Sequence, residues 1–204
     1  MITYRLACHE DLPVVVDLHR KIFGKMGASF LPKLGKKCLL DLYTHILSIN
    51  PRSSFVAQDD SNIVGFLVGV TDTRQMFKIL PTIFAKTILG LYDLEIELTD
   101  LIFEGFTNMS YIIRRRNEEA KAELLVIAVD ADYQGKGIGT RLVSLFLQHL
   151  EEQAVDTVQV LVDERWKQAQ LFYERIGFER VRLEKRSSGN LWIMIKKNRY
   201  NTLK

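Results

Sequence analysis

The sequence predicts an α/β fold of the α+β mixed-sheet kind: a central mixed β-sheet flanked by helices on both faces, with a helical insertion before its central strand. Three observations carry this. The second half of the chain alternates short apolar runs with amphipathic stretches, which is strand and helix in turn. The first half contains a hairpin pattern, so the sheet is not all parallel. Gly135, Gly137 and Gly139 crowd into the junction between a buried apolar run and the amphipathic stretch after it.

Each element follows from local signals. Residues 2–6 alternate apolar and polar side chains, and Asp11 before Leu12-Pro13 has the signature of an N-cap with a first-turn proline, so a strand leads into a helix that runs to about Phe23. A second helix begins near Lys33, carries Leu39, Leu42, Tyr43 and Ile46 on one face, and stops before Asn50-Pro51. Residues 54–57 and 63–70, separated by the turn-forming Gln58-Asp59-Asp60-Ser61-Asn62, read as the hairpin. Residues 72–121 form the insertion, with helices expected over about 75–91 and 94–115. A buried central strand at 123–129 precedes the glycines, and Leu142, Val143, Leu145, Phe146 and Leu150 mark the helix after them. A strand at 158–162, a helix at 168–176 ended by Gly177, and closing strands at 178–183 and 191–195 complete the pattern. The basic end, Lys196-Lys197-Asn198-Arg199 in a tail over 197–204, is expected to fray.

Composition excludes several function classes. The 204 residues are 47% apolar and 26% charged, which suits one domain over 1–204 with a sizeable core. Lys and Arg number 28 against 25 Asp and Glu; a net charge of +3 lacks the field of a dedicated nucleic-acid binder. Cys8 and Cys38 have neither CxxC nor CxxxH spacing, which fits a reducing cytoplasm rather than a disulfide framework or zinc site. His9, His19, His45 and His149 form no metal-ligand spacing, so no metal is expected. The opening residues show no basic leader before an apolar stretch, and the longest uncharged runs fall short of the roughly 18 apolar residues of a membrane span.

The glycine junction is the main functional signal. A helix N-terminus exposes unpaired N–H groups and a partial positive charge, and glycine lets backbone approach an anion closely. Asp130 to Thr140 is therefore a candidate phosphate cradle, to which Lys136 and Arg141 add charge and Thr140 a hydroxyl donor. Spacing decides which phosphate. The P-loop pattern GxxxxGK[ST] fails because Thr140 stands five residues after Gly135, and the dinucleotide pattern GxGxxG fails at Thr140 and again at Leu142. What stands is Gln-x-x-Gly-x-Gly, from Gln134 through Gly137 to Gly139, with an ordinary glycine-rich strand-to-helix turn as the alternative.

At these residues the chain resembles the GNAT superfamily of N-acetyltransferases, in which Gln or Arg, two residues, Gly, one residue, then Gly or Ala forms the pyrophosphate loop of acetyl-CoA. A second motif agrees: Ala169-Gln170-Leu171-Phe172-Tyr173-Glu174-Arg175-Ile176-Gly177-Phe178 is similar to the family's A-x-x-F-Y-x-x-x-G-F helix and strand, in the right order and at the right separation. The resemblance covers 122–178 closely and 2–11 loosely. It implies acetyl-CoA as co-substrate, bound by Gln134, Gly135, Lys136, Gly137, Ile138, Gly139 and Thr140, and by the backbone of Ile127, Ala128 and Val129 on a strand splayed from its neighbour. It departs at Trp166, where many relatives carry a cofactor-binding Asn.

The implied chemistry is direct transfer to an amine. A lysine-like ammonium with a pKa around 10 must lose a proton before it attacks a thioester. The resemblance gives that task to Glu123, whose alternative is a solvated strand-start residue paired with Lys121. The Ile127 amide is implied as donor to the thioester oxygen, and Tyr173 as acid for the departing thiolate, with Phe172 as the core member of the pair. The alternative for Tyr173 is aromatic packing. Neither cysteine lies in a catalytic motif, so no cysteine intermediate is expected.

The sequence does not assign the acceptor; a small-molecule primary amine, such as an amino sugar or polyamine, is expected ahead of a protein lysine or N-terminus, and a CoA-binding module without catalysis is the reading from another class. Family acceptor sites use the link at 24–30 and the turn at 186–190. Asp93, Glu97, Asp100 and Glu104 recur at helical spacing, either as a cation-attracting stripe or as a solvated face. Phe77, Leu80, Phe84, Ile88 and Leu91 form an apolar stripe that suits core, a homodimer surface or a peripheral membrane contact.

Overall fold

The computed structural model describes residues 1–24, 35–92, 120–185 and 189–198. Seven strands form one mixed sheet: β1 (Ile2–Leu6), β2 (Ser54–Asp59), β3 (Asn62–Val70), β4 (Ala122–Val129), β5 (Thr157–Asp163), β6 (Glu179–Glu184) and β7 (Leu191–Lys197). Their spatial order is β1-β2-β3-β4-β5-β7-β6. Every neighbouring pair is antiparallel except β4 and β5, which the chain joins through a crossover helix that returns it in the same direction.

The helices are α1 (Leu12–Phe23), α2 (Gly35–Ile49), α3 (Thr73–Met76), α4 (Leu80–Ile88), α5 (Ile138–Glu152) and α6 (Lys167–Arg175). They cover both faces, because each face of the sheet is apolar. On one, Leu12, Val16, Leu39, Tyr43 and Ile46 of α1 and α2 pack on Val56, Phe66, Val68, Val126 and Ala128. On the other, Leu142, Phe146 and Leu150 of α5 and Tyr173 of α6 pack on Leu67, Leu124, Val158 and Val160.

β4 changes phase midway. Val68 pairs with Val126 but Gly69 with Leu124, so Leu125 is an extra residue on β4, a β-bulge. Ala122 and Leu124 face α5 and α6 before it, and the odd-numbered Ile127 and Val129 face them after it. Gly69, beside the bulge, has no alternative: an added Cβ would lie 2.4 Å from Cζ of the fully buried Phe146 ring.

Three expectations change. The single helix over 75–91 is broken into α3, a 3-10 turn at Phe77–Ile79 and α4, because Pro81 lacks an N–H and its ring clashes with the carbonyl four residues earlier; it is tolerated only in the first turn of a restarted helix. The Asp11 carboxylate does not cap α1. It accepts from Arg5 at 2.6 and 2.7 Å and from the Cys8 amide at 2.9 Å, closing the 3-10 turn His9–Asp11 instead. The basic end is ordered through Asn198: β7 includes Lys196 and Lys197, and the buried Asn198 donates its amide N–H to Asp156 O at 2.7 Å and its side chain to Leu147 O and Val155 O. The expected helix at 94–115 and its acidic stripe lie outside the described residues.

Candidate active site

The site begins as a defect in the sheet. β4 and β5 pair only at Ala122↔Val158, Glu123↔Gln159 and Leu124↔Val160. Beyond that vertex β4 continues beside β3 to Gly65↔Val129, while β5 continues beside β7 to Asp163↔Leu191. The two central strands therefore part where the bulge at Leu125 bends β4. Ile127, Ala128 and Val129 keep β3 on one edge and turn the other edge to the opening, so their backbone is available to an extended ligand as a missing strand would be.

The glycine loop stands at the top of the opening. A 3-10 turn (Ala131–Tyr133) follows β4, and the Gln134 side chain donates to Val129 O at 3.0 Å, fastening the loop to the strand end. Gly135 and Gly137 take φ of +75° and +79°, a region costly for any other residue, and an added Cβ would meet nothing within 4 Å at either. The first helical bond of α5 is Arg141 N–H to Gly137 O at 3.0 Å. The amides of Ile138, Gly139 and Thr140 thus precede the ladder, at the positive end of a 15-residue helix. Open space, free amides and left-handed glycines fit a pyrophosphate. Lys136 is held above it by Asp132 O at 2.9 Å and by the Tyr133 ring.

Glu123 sits at the vertex, 7% exposed, on the α1 and α2 face. Its Oε2 accepts from Gln159 Nε2 at 2.8 Å in the interior. Tyr173 lies on the opposite face at 5% exposure, its ring against Phe172 and Phe178. Burial holds its phenol well above the ordinary tyrosine range, so it is a protonated donor at neutral pH. The core role expected of Phe172 falls to Tyr173: Phe172 is only partly buried and faces Gly139. Tyr173 shares the inner face of α6 with the fully buried Gln170, three residues earlier.

Two further features were not signalled by motif. Gln159 is the polar partner of Glu123, and its trace in sequence is a lone glutamine between two valines of an apolar strand. Trp166, the residue before α6, packs its ring at a tilt against Phe23 at the end of α1, with ring centroids 5.9 Å apart. Because Lys21 ties α1 to Asp130 at 2.6 Å, that contact bridges the mouth of the opening from the β4 side to the β5 side. Cys8 and Cys38 are free, and no group of His, Cys, Asp and Glu able to hold a metal occurs among the described residues. No helix among the described residues is long and apolar enough to cross a membrane. The acceptor-site link at 25–30 and residues 186–188 lie outside the described residues.

A sheet split between two parallel strands with an anion cradle at its head suits an extended ligand that carries a phosphate group. The chain belongs to the acetyltransferase (GNAT) family, whose model matches residues 25–178. It is 41% identical over 61 residues to a mycothiol acetyltransferase of Streptomyces coelicolor; the match covers 30% of this chain and about a fifth, 20%, of that relative. Among solved structures it is similar to SsHAT, with a TM-score of 0.71 and 18% identity over 98% of this chain and 99% of that one. It is also similar to a chain of the NatC complex bound to Gag peptide and CoA, at a TM-score of 0.62 and 15% identity over 96% and 98%. These solved structures establish a shared fold.

Proposed function

We propose that the chain moves the acetyl group of acetyl-CoA to a small-molecule primary amine by direct transfer in a ternary complex. The observation that carries this is the parting of β4 from β5 after three residue pairs, directly below the glycine cradle. Acetyl-CoA supplies an acyl carbon activated as a thioester. Residues 135–140 hold its pyrophosphate through backbone N–H groups, and residues 127–129 hold its arm through the unpaired strand edge. The split gives a ligand lying in it access to both faces of the sheet. Glu123 on one face takes the proton from the acceptor ammonium; the Ile127 amide donates to the oxygen that gains negative charge; Tyr173 on the other face donates to the departing thiolate sulfur. The Phe23 to Trp166 bridge narrows the mouth and favours a compact acceptor over a folded protein surface.

Thiol release from acetyl-CoA across a panel of an amino sugar, a polyamine and a lysine peptide tests the reading. Turnover with the small amines is expected, and Glu123→Gln is expected to abolish it. Stoichiometric CoA binding without turnover on any amine would make the chain a CoA-binding module instead, and turnover confined to the peptide would make it a protein acetyltransferase.

A further inference from the structure

Glu123 and Gln159 are register partners at the last but one rung of the β4–β5 ladder, with both side chains interior at 7% and 2% exposure. Gln159 Nε2 donates to Glu123 Oε2 at 2.8 Å. The other end of the same amide is unsatisfied: Gln159 Oε1 is buried with no hydrogen-bond partner among the described residues. A buried acceptor left unmade is unusual enough in a folded protein to need a reason.

Carboxamide chemistry offers one. A glutamine head presents two N–H donors and a carbonyl acceptor that exchange places by a half-turn. Toward an ionised carboxylate the N–H side is the match; toward the protonated acid, whose O–H must donate, the carbonyl is. A base alternates between these two states once per turnover. Resting on the reading of Glu123 as that base, we propose that Gln159 is its positioning residue, holding the carboxylate through Nε2–H and turning Oε1 to the acid once the proton has arrived. The balance is simple. The acceptor ammonium gives one proton to Glu123 Oε, its freed lone pair forms the C–N bond, the C–S bond breaks with its electron pair leaving on sulfur, Tyr173 protonates that sulfur and is restored by the second proton of the nitrogen, and Glu123 returns its proton to solvent. Gln159 gains and loses nothing.

Several groups surround the pair among the described residues. The partner on β3 is Val70; beyond it Asp72 and Arg74 pair with each other at 2.7 Å. Lys121, the residue before β4, is two residues away and exposed. In the α1 and α2 layer His19 and Tyr43 are bonded to each other at 2.7 Å. On the far face stands Tyr173.

The test compares Gln159→Met, Gln159→Glu and Glu123→Gln with the wild type in thiol release from pH 5 to 10, with thermal melting as the control for folding. Methionine keeps the volume and removes the donor. The expected result is a fall in kcat of about tenfold, an acetyl-CoA KM changed by less than about twofold, and an acidic limb moved to higher pH by about one pH unit. Gln159→Glu keeps size and polarity but sets two carboxyls against each other, and is expected to move the limb further in the same direction; it decides the matter if the methionine variant does not fold. Folded variants with a wild-type profile, beside an inactive Glu123→Gln, overturn the role of Gln159 and leave the base standing. An active Glu123→Gln overturns both.

Discussion

The ring of Phe178 stands edge-on to the ring of Tyr173, centroids 5.4 Å apart, at the point where the Phe178 amide donates to Tyr173 O at 3.0 Å. Gly177, at φ +90°, donates to Glu174 O. Together these bonds and the ring contact form the Schellman stop of α6, in which the third residue from the helix end packs on the second residue beyond the cap residue Ile176. The Gly-Phe of the motif thus ends the helix and fixes the phenol in the same stroke. Tyr173→Phe leaves that packing in place and removes only the hydroxyl. It is expected to lower kcat by about a hundredfold, with stability and acetyl-CoA KM nearly unchanged, as befits loss of one general acid. Wild-type kcat in the variant would remove Tyr173 from the chemistry.

Gly69 tests the packing behind the split. Its hydrogen faces Phe146 so closely that alanine forces the fully buried ring or the β3 backbone to shift. Gly69→Ala is expected to destabilise the protein by about 1–3 kcal/mol, read as a lower denaturation midpoint. Adding Phe146→Leu to that background should recover part of the loss, because the two sites share one space. Strict additivity of the two substitutions would refute the contact.

Much of this arrangement was legible in the chain because it is local. The strand, glycine turn and helix at 122–152 declare themselves within 31 residues, and both motifs lie on elements formed by neighbours in sequence. What was hidden depends on register. No periodicity shows that β4 leaves β5 after Leu124, because that follows from a one-residue bulge against β3. Gln159 acquires meaning only as the partner of Glu123, 36 residues earlier. The unbroken helix expected over 75–91 failed for a local reason, Pro81, that apolar spacing outvoted. Asp11 looked like a cap, yet a guanidinium on the neighbouring strand offered its carboxylate a stronger, bidentate partner.

The cradle makes a sharper prediction than its composition. An alanine at Gly137 has room for its methyl group, so the penalty is conformational: about 1–2 kcal/mol for holding an L-residue at φ +79°. The loop can relax that strain only by leaving the geometry in which its amides converge. Gly137→Ala is therefore expected to weaken acetyl-CoA binding by about tenfold, measured by calorimetry, while changing the thermal midpoint little, because the loop is exposed. A large fall in stability with unaltered affinity would mean that the glycine serves the fold and not the ligand.

His19 gives the protein an acid-sensitive point inside the core. It is fully buried between α1 and α2, and its Nδ1 shares a hydrogen bond with the buried Tyr43 hydroxyl at 2.7 Å, while Nε2 has no partner among the described residues. Burial lowers its pKa to about 4, against an ordinary value of 6.5. The sign follows from proton counting. Between pH 6.5 and 4 the unfolded chain binds a proton at this residue that the folded chain refuses, so the contribution of neutral His19 is complete above pH 6.5 and drains away as the pH falls toward 4. At most about 3 kcal/mol is lost across that window. His19→Gln retains a partner for the Tyr43 hydroxyl and does not titrate. Urea unfolding at pH 7, 6, 5 and 4 is expected to show the variant's stability falling less steeply than the wild type's by up to one proton's worth of slope. Parallel curves would mean that the imidazole is protonated in the folded state and that water reaches Nε2.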